Sequence, residues 1–456
     1  MAVLEQQTDG HREWVYAARV KGRFQKIHRW SGWILMAFLV GVPWIHIHGR
    51  PLLRFDLPGR RLYALGATFT PQDAIYIVLL LLFAAFGLFF FTSLYGRIWC
   101  GYACPQTVFL EEIIRPLERW IQGDRGRRMA LDRKKFSGEW WAKKLASWAL
   151  YAVVAVAVSL AFLGFFEDPR LLWTGRASRG AYAVAAFFAF AWFWDFAWFR
   201  EQFCNYLCPY ARFQGALTDD QSLNVMYRVR LAEPRGTKKE RKAHPDQDFG
   251  LCIDCKKCVT VCPAGIDIRD GFQLECIACG RCVDACEGVA ARMNLPEPLI
   301  GYTSLAAESG RKKRFLRPRT LVYGTILSVL VVAFVALMGS RHDLAVTLNR
   351  VPGTLYQVDD DGMIRNTYFL EVTNNHGAGD GEPATVEVEV VGLDGAEVVA
   401  PPIEVAPTRS VKVPVAIRVP ADAVHSRTIP FELEVRTDFD RVSVPGTFKT
   451  GLEEVN

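Results

Sequence analysis

Apolar and polar positions fall into long blocks along this chain. Five stretches are almost wholly apolar: Trp30–His48, Ala74–Ser93, Ala146–Phe166, Ala181–Phe199 and Leu321–Gly339. Crossing a hydrocarbon core of ~30 Å takes about 20 helical residues, so the pattern predicts five transmembrane α-helices. Trp30, Trp33, Trp44, Trp148 and Trp198 lie near their ends, where aromatic rings favour the membrane–water interface. Between the second and third spans, Thr107–Ile121 sets Val108, Phe109, Ile113, Leu117 and Trp120 among charges, a pattern that predicts an interfacial helix. After the last span the period becomes two, at Thr385–Val391, Ser410–Ile417 and Phe431–Val435, with Gly and Pro between. Residues 340–456 are therefore predicted to form an immunoglobulin-like β-sandwich, without a disulfide because the segment holds no cysteine.

Charge gives the spans a direction. The first 29 residues hold 6 Lys and Arg, Gly96–Leu145 holds 11 and Arg200–Thr320 holds 20, against 4 in Gly49–Gln72 and 3 in Glu167–Gly180. The positive-inside rule places the N-terminal segment 1–29 and both long loops in the cytoplasm. Arg50, Arg54, Arg60 and Arg61 lean the other way and are outvoted. The polar segment before Trp30 is too long for a cleaved signal peptide, so the first span reads as a retained anchor. Five spans then put the tail outside; from Arg341 it carries 10 basic and 19 acidic residues within a chain of net charge +6. Mean hydropathy of +0.10 with 22% charged residues excludes a disordered chain and a pure membrane bundle. The basic run Arg311–Arg314 reads as a stop-transfer flank of the fifth span, and no nucleic-acid partner is expected.

All twelve cysteines lie between Cys100 and Cys286, on the side assigned to the reducing cytoplasm. Short fixed spacings there indicate metal and not a disulfide scaffold. Cys252–Pro263 reads C-I-D-C-K-K-C-V-T-V-C-P and Cys276–Glu287 reads C-I-A-C-G-R-C-V-D-A-C-E. Both are C-x2-C-x2-C-x3-C, the two-cluster bacterial ferredoxin pattern, in which the fourth cysteine of each run ligates the other cluster. Cys252, Cys255, Cys258 and Cys286 are thus expected to hold one 4Fe-4S cluster, and Cys276, Cys279, Cys282 and Cys262 the second. This ferredoxin domain spans about 245–295 within the loop 200–320. Glu287 stands where the pattern has a second proline, which leaves the ligands intact.

The remaining four cysteines form two copies of C-x3-C-P: Cys100 and Cys104 before Pro105, Cys204 and Cys208 before Pro209. The first copy follows the second span and the other closes the four-helix region 30–199, so the first four spans look like a duplicated two-helix unit. An i, i+4 spacing puts two sulfurs on one helical face, and the proline favours a bend at the preceding residue. Paired, the copies would offer four thiolates, which suit Cu(I), zinc or an iron–sulfur cluster. His46 and His48 at the outer end of the first span are further metal candidates. Asp195, a carboxylate inside an aromatic span, is a candidate for quinone or proton handling. No C-x-x-C-H and no nucleotide-binding glycine fingerprint occur in a convincing context.

The order of these features, with C-P-A-G-I-D-I-R-D-G at 262–271, resembles the cytochrome c oxidase accessory protein family (the CcoG, FixG and RdxA type) along nearly the whole chain. That resemblance implies a bacterial inner-membrane protein that reduces Cu(II) to Cu(I) for the copper centre of a cbb-type oxidase. Cys100, Cys104, Cys204 and Cys208 would then be the redox or copper site, and the ferredoxin cysteines the electron supply. It also implies, as partners, oxidase subunits or copper-delivery factors and an electron donor that the sequence leaves unidentified. Related membrane polyferredoxins suggest the alternative of a quinol-linked electron conduit for nitrate or nitrous oxide respiration.

Overall fold

The computed structural model describes residues 14–451 apart from His48, 296–297, Lys313, Arg341, Thr354, 377–381 and Thr408. The chain divides into two compact units, one of residues 1–44 and 78–331, the other of 45–77 and 332–456.

Among the described residues four helices are long and apolar enough to cross a membrane: Ala74–Tyr95, Gly138–Leu163, Arg179–Phe199 and Pro318–Gly339. The expected first span, Trp30–His48, is not one helix. Helix α1 covers Arg23–Gly41, beginning in the polar segment and giving way to a 3-10 turn at Val42–Trp44. Pro43 supplies no N–H to continue the helical ladder. The chain then forms the short strand His46–Ile47, antiparallel to Arg50–Pro51. His46 thus lies in a strand, and His48 lies outside the described residues. From Trp30 to Gly41 the apolar part rises only ~18 Å at 1.5 Å per residue. It nevertheless accompanies helix α2, Gly138–Leu163, to that helix's far end: Phe38 stacks on Phe165 at 6.4 Å between centroids, and a Cβ on Gly164 would lie 3.1 Å from Pro43.

The polar beginning of α1 has a specific use. Gly22 precedes it and gives no side-chain cap. The Asp284 carboxylate of the ferredoxin helix Arg281–Ala290 instead accepts the backbone N–H groups of Phe24, at 3.1 Å, and Gln25, at 2.8 Å. An acidic side chain at a helix N-terminus satisfies two of its orphan donors and complements its dipole.

Thr107–Ile121, expected as one interfacial helix, is not a single regular α-helix. It is the short helix Pro105–Val108, a π-helical turn Phe109–Ile114 and the helix Arg115–Gln122. Phe109, Leu110 and Ile114 pack on Tyr151, Ala155 and Phe196. The charged residues among them are buried in pairs as well: Glu111 with Arg115 at 2.8 Å and with Arg281, and Glu118 with Arg128 at 2.6 Å and with Arg200. Tyr151 also donates to Glu118, at 2.9 Å.

In the second unit, strands Leu53–Asp56, Arg61–Ala64 and Ala67–Phe69 form an antiparallel sheet that packs Leu62, Phe69 and Tyr76 with Phe334 and Met338. Arg50 is buried and donates to Gly66 O and Thr68 Oγ1. Arg50 is therefore engaged with the neighbouring sheet. The C-terminal segment is a two-sheet sandwich. One sheet runs Glu397–Val399, Ser410–Pro420, Met363–Asn374, Leu344–Arg350, with Gln357–Val358 also on Met363–Asn374; the other runs Ile403–Val405, Ala384–Val391, Thr428–Arg436, Arg441–Lys449. Leu370, Val415, Ile417, Leu433, Val435 and Phe448 from both sheets are fully buried between them.

Candidate electron-transfer site

The two C-x3-C-P copies have matching backbones. Cys100 lies on the short helix Ile98–Tyr102, and Cys104 leaves the helical region, with ψ of 125°, before Pro105 opens the next helix. In the second copy Cys204 lies in the π-helical turn Phe203–Leu207, and Cys208, with ψ of 109°, precedes the helix Pro209–Leu217. Proline at the first helical position needs no N–H partner there, so each copy breaks at its second cysteine, as the residue before proline favours.

The fold brings the copies together. Cys204 lies within electrostatic reach of Cys100, Cys104 and Cys208, and Cys104 within reach of Cys208. The Gln214 carboxamide of the second copy sits 3.7 Å from Cys100 Sγ. Thr92 and Tyr210 hydroxyls meet at 2.7 Å. Gln106 Nε2, two residues past Cys104, donates to both Asp195 oxygens at 2.8 Å and to Arg200 O at 3.0 Å. Asp195 thus fastens one copy to the other. Burial, helped by the neighbouring cysteines, pushes the Cys100 thiol up to about 11 and Cys204 to about 12, and burial raises Cys104 as well. Uncoordinated, these three are protonated at neutral pH; a bound metal deprotonates a coordinating thiol outright. Among the described residues no three Cys, His, Asp or Glu side chains are closed into a ligand shell.

The ferredoxin segment lies between the antiparallel strands Asn224–Tyr227 and Ile300–Thr303. Its two cysteine runs share a backbone signature. Asp254 and Lys256 in the first hold left-handed φ of 50° and 54°, and Ala278 and Gly280, 24 positions later, hold 51° and 71°. Three of these four are not glycine, and such strain is kept where a loop must wrap closely around something. Two small cavities lie inside. One is lined by Cys252, Cys255, Cys258 and Cys286, the other by Cys262, Cys276, Cys279 and Cys282 together with Cys258. Each cavity therefore meets the cysteine set expected for one cluster, and the chemistry of four thiols around an apolar space fits a cubane. Burial pushes Cys276 up to about 11 and Cys258 and Cys279 to about 12.

These sites adjoin through one of the two runs. Cys100 packs against Ile277 and Cys279. Gly101 lies so close to that loop that a Cβ there would be 2.6 Å from Ile277 O and 3.0 Å from Cys279 Cα. Tyr102 donates to Cys279 O at 3.2 Å and meets the Tyr302 hydroxyl at 2.9 Å, while Tyr302 donates to Ala278 O at 2.6 Å. Cys255, the counterpart of the buried Cys279, is exposed. The 276–282 run packs against the first C-x3-C-P copy, and the 252–258 run exposes Cys255.

Arg97 was not singled out by sequence. It is buried, donates to Leu274 O, and lies within electrostatic reach of Cys100, Cys204 and Cys276. A cation here favours negative charge on both thiol groups at once. The signal available in sequence was its place three residues before Cys100, where the second copy has Glu201.

Comparison with known proteins agrees with this organisation. Residues 199–305 match the family described as a 4Fe-4S dicluster domain, 77–128 match a 4Fe-4S binding domain, and 334–450 match the IG-like fold at the C-terminal of FixG. The chain is 37% identical to Protein RdxB of Cereibacter sphaeroides over 80% of each chain and 35% identical to Protein RdxA of that organism, again over 80% of each. Nitrogen fixation protein FixG of Rhizobium meliloti is 34% identical over 79% of this chain and 76% of its own length.

Proposed function

This chain belongs to the FixG/RdxA family of iron–sulfur electron-transfer proteins, and on that premise we propose that it is a membrane-bound reductase that converts Cu(II) to Cu(I) during assembly of a cbb-type cytochrome c oxidase. The observation that carries the reading is the packing of Cys100 and Gly101 on the 277–279 loop. It puts the C-x3-C-P thiols beside the ferredoxin cysteines with no intervening domain.

In this reading Cys252, Cys255, Cys258 and Cys286 hold one 4Fe-4S cluster, and Cys262, Cys276, Cys279 and Cys282 the other; the two cysteine-lined cavities support it. Bound there, the clusters supply one-electron redox chemistry. The protein's own groups do the rest. The exposed loop at Cys255 is where an electron donor docks. The Cys276–Cys282 loop carries the contact to the acceptor side. Cys100, Cys104, Cys204 and Cys208 receive copper as substrate, and soft sulfur stabilises the Cu(I) product over Cu(II). Arg97 offsets the negative charge of the thiolates, while Gln106 and Asp195 hold the two copies in register.

In this reading both cysteine regions and the N-terminus lie in the cytoplasm and the sandwich in the periplasm, with α1 and the turn Val42–Trp44 as a short fifth crossing beside α2. The excess of basic residues in the long loops supports that orientation. A deletion strain tests the assignment. Loss of cbb-type oxidase activity that added copper restores is the expected result. Intact oxidase with failed nitrate or nitrous oxide respiration would replace it with a quinol-linked conduit.

A further inference from the structure

A polar cavity of about 580 Å³ lies away from the cysteines, walled by the segment before α1, by α1 itself and by the buried helix that follows Cys104. Its charged lining is Arg19, Arg29, Arg119 and Arg281 against Glu111, Glu112 and Asp124. Most of these charges are already committed. Glu111 is paired with Arg115 and Arg281. Glu112 meets His28 at 2.9 Å and Arg29 at 3.9 Å.

Two guanidinium groups, Arg19 and Arg119, and one carboxylate, Asp124, are left over. Among the described residues, neither Arg19 nor Arg119 has an ion-pair or hydrogen-bond partner for its side chain. Arg119 instead sits within electrostatic reach of Arg281, Arg19 and Arg115, with Glu111 as its only opposing charge among its main electrostatic neighbours. Arg19 is exposed and Arg119 half-buried, so both guanidinium groups are open to a ligand in the cavity, and Arg matches phosphate oxygens with two parallel N–H donors.

The position of the cavity selects the kind of anion. Trp33 and Trp120 line it, with exposures of 55% and 78%. Trp33 stands in the apolar part of α1, which begins at Trp30. Exposed tryptophan at the start of an apolar helix marks headgroup depth. Its volume falls in the ~300–1,000 Å³ range of small-molecule sites.

We infer that this cavity binds the phosphodiester headgroup of an anionic phospholipid, held by Arg19 and Arg119 with Trp33 and Trp120 against the glycerol and upper acyl region. The inference rests on the membrane reading above and not on copper chemistry. Arg281 joins the cavity to the Cys279–Cys282 loop, so an occupied cavity braces α1 against the ferredoxin segment.

The test uses the full-length protein in mild detergent, titrated with phosphatidylglycerol or phosphatidylcholine and examined by native mass spectrometry. The expected result is one retained phosphatidylglycerol, at least a tenfold preference over phosphatidylcholine, and loss of that preference in the Arg19→Gln/Arg119→Gln double variant. Arg119→Lys keeps a cation and is expected to keep the preference, which covers the case in which the double variant fails to fold. Iron content of each variant reports folding independently of lipid. Equal binding of the two lipids by the wild-type protein would overturn the inference, as would an unchanged preference in a folded double variant. Displacement of phosphatidylglycerol by millimolar inorganic phosphate would overturn it too, by making the ligand a soluble anion. A failed copper assay leaves every one of these outcomes readable.

Discussion

Replacing Gly101 with alanine perturbs the contact between the first C-x3-C-P copy and the ferredoxin loop while leaving every thiol in place. The new Cβ would lie 2.6 Å from Ile277 O, 3.0 Å from Cys279 Cα and 3.1 Å from the Ala278 carbonyl carbon. All three are backbone atoms, so no side chain can swing aside. Ordinary contact begins at 3.4 Å, and the two backbones must part by about 0.8 Å. Overpacking of this kind costs about 1–3 kcal/mol. The protein should therefore keep its iron but lose part of its thermal stability, and electrons should cross the widened contact more slowly. The assay is stopped-flow reoxidation of dithionite-reduced protein by Cu(II), followed at the visible iron–sulfur absorbance. Gly288→Ala is the control, because a Cβ there meets nothing within 4 Å. A Gly101→Ala protein with full iron, lowered stability and an unchanged reoxidation rate would refute the claim that this contact is the route.

Removing the Arg97 charge as Arg97→Gln should lower the midpoint potential of the neighbouring redox centre by roughly 100 mV, the order a unit charge several ångströms away produces at an effective dielectric near 20; Arg97→Lys should restore most of it in the same potentiometric titration. Burial pushes the Glu118 carboxyl up, but Arg200 and Arg128 override it and hold it at about 2. A carboxyl lowered on folding stabilises the protein above its unfolded value and loses that contribution as pH falls through its folded one. Thermal melts should thus show a loss of stability between about pH 4.5 and 2 that Glu118→Gln flattens, while Glu118→Gln at pH 7 should cost about 3 kcal/mol by taking the counter-charge from buried Arg128 and leaving buried Arg200 with Glu201 at 3.7 Å. Asp284→Ala should remove the borrowed cap of α1 and cost about 1 kcal/mol in a urea melt.

The parts of this protein legible in the sequence are those in which chemistry fixes spacing. The C-x2-C-x2-C-x3-C runs and the C-x3-C-P copies follow from how few geometries let nearby thiols converge, and alternation at Ser410–Ile417 follows from a strand with one buried face. Elsewhere the decisive partner lay far along the chain. Glu111, Arg115 and Glu118 read only as charges along an interfacial helix because the counter-charges of the two glutamates, Arg281 and Arg200, come from other segments. Asp195 reads as a candidate for quinone or proton handling, and nothing in the sequence shows that Gln106, 89 positions away, donates to both its oxygens. The polar start of α1 lies outside any hydropathy window, because what it needs is the Asp284 carboxylate 260 residues away from Phe24. Arg97 carried no motif at all, and its importance comes from standing between two cysteine groups that only the fold brings together.

The central claim is that electrons held by the ferredoxin cysteines reach Cu(II) at the membrane-edge thiols. Anaerobic purification, metal analysis and EPR before and after adding Cu(II) to dithionite-reduced protein test it directly. The account predicts about eight irons, the content of two cubanes, and loss of the Cu(II) signal as the reduced clusters reoxidise, weakened in the Cys100→Ala/Cys104→Ala protein. The same iron content with a persistent Cu(II) signal and clusters that stay reduced would contradict it.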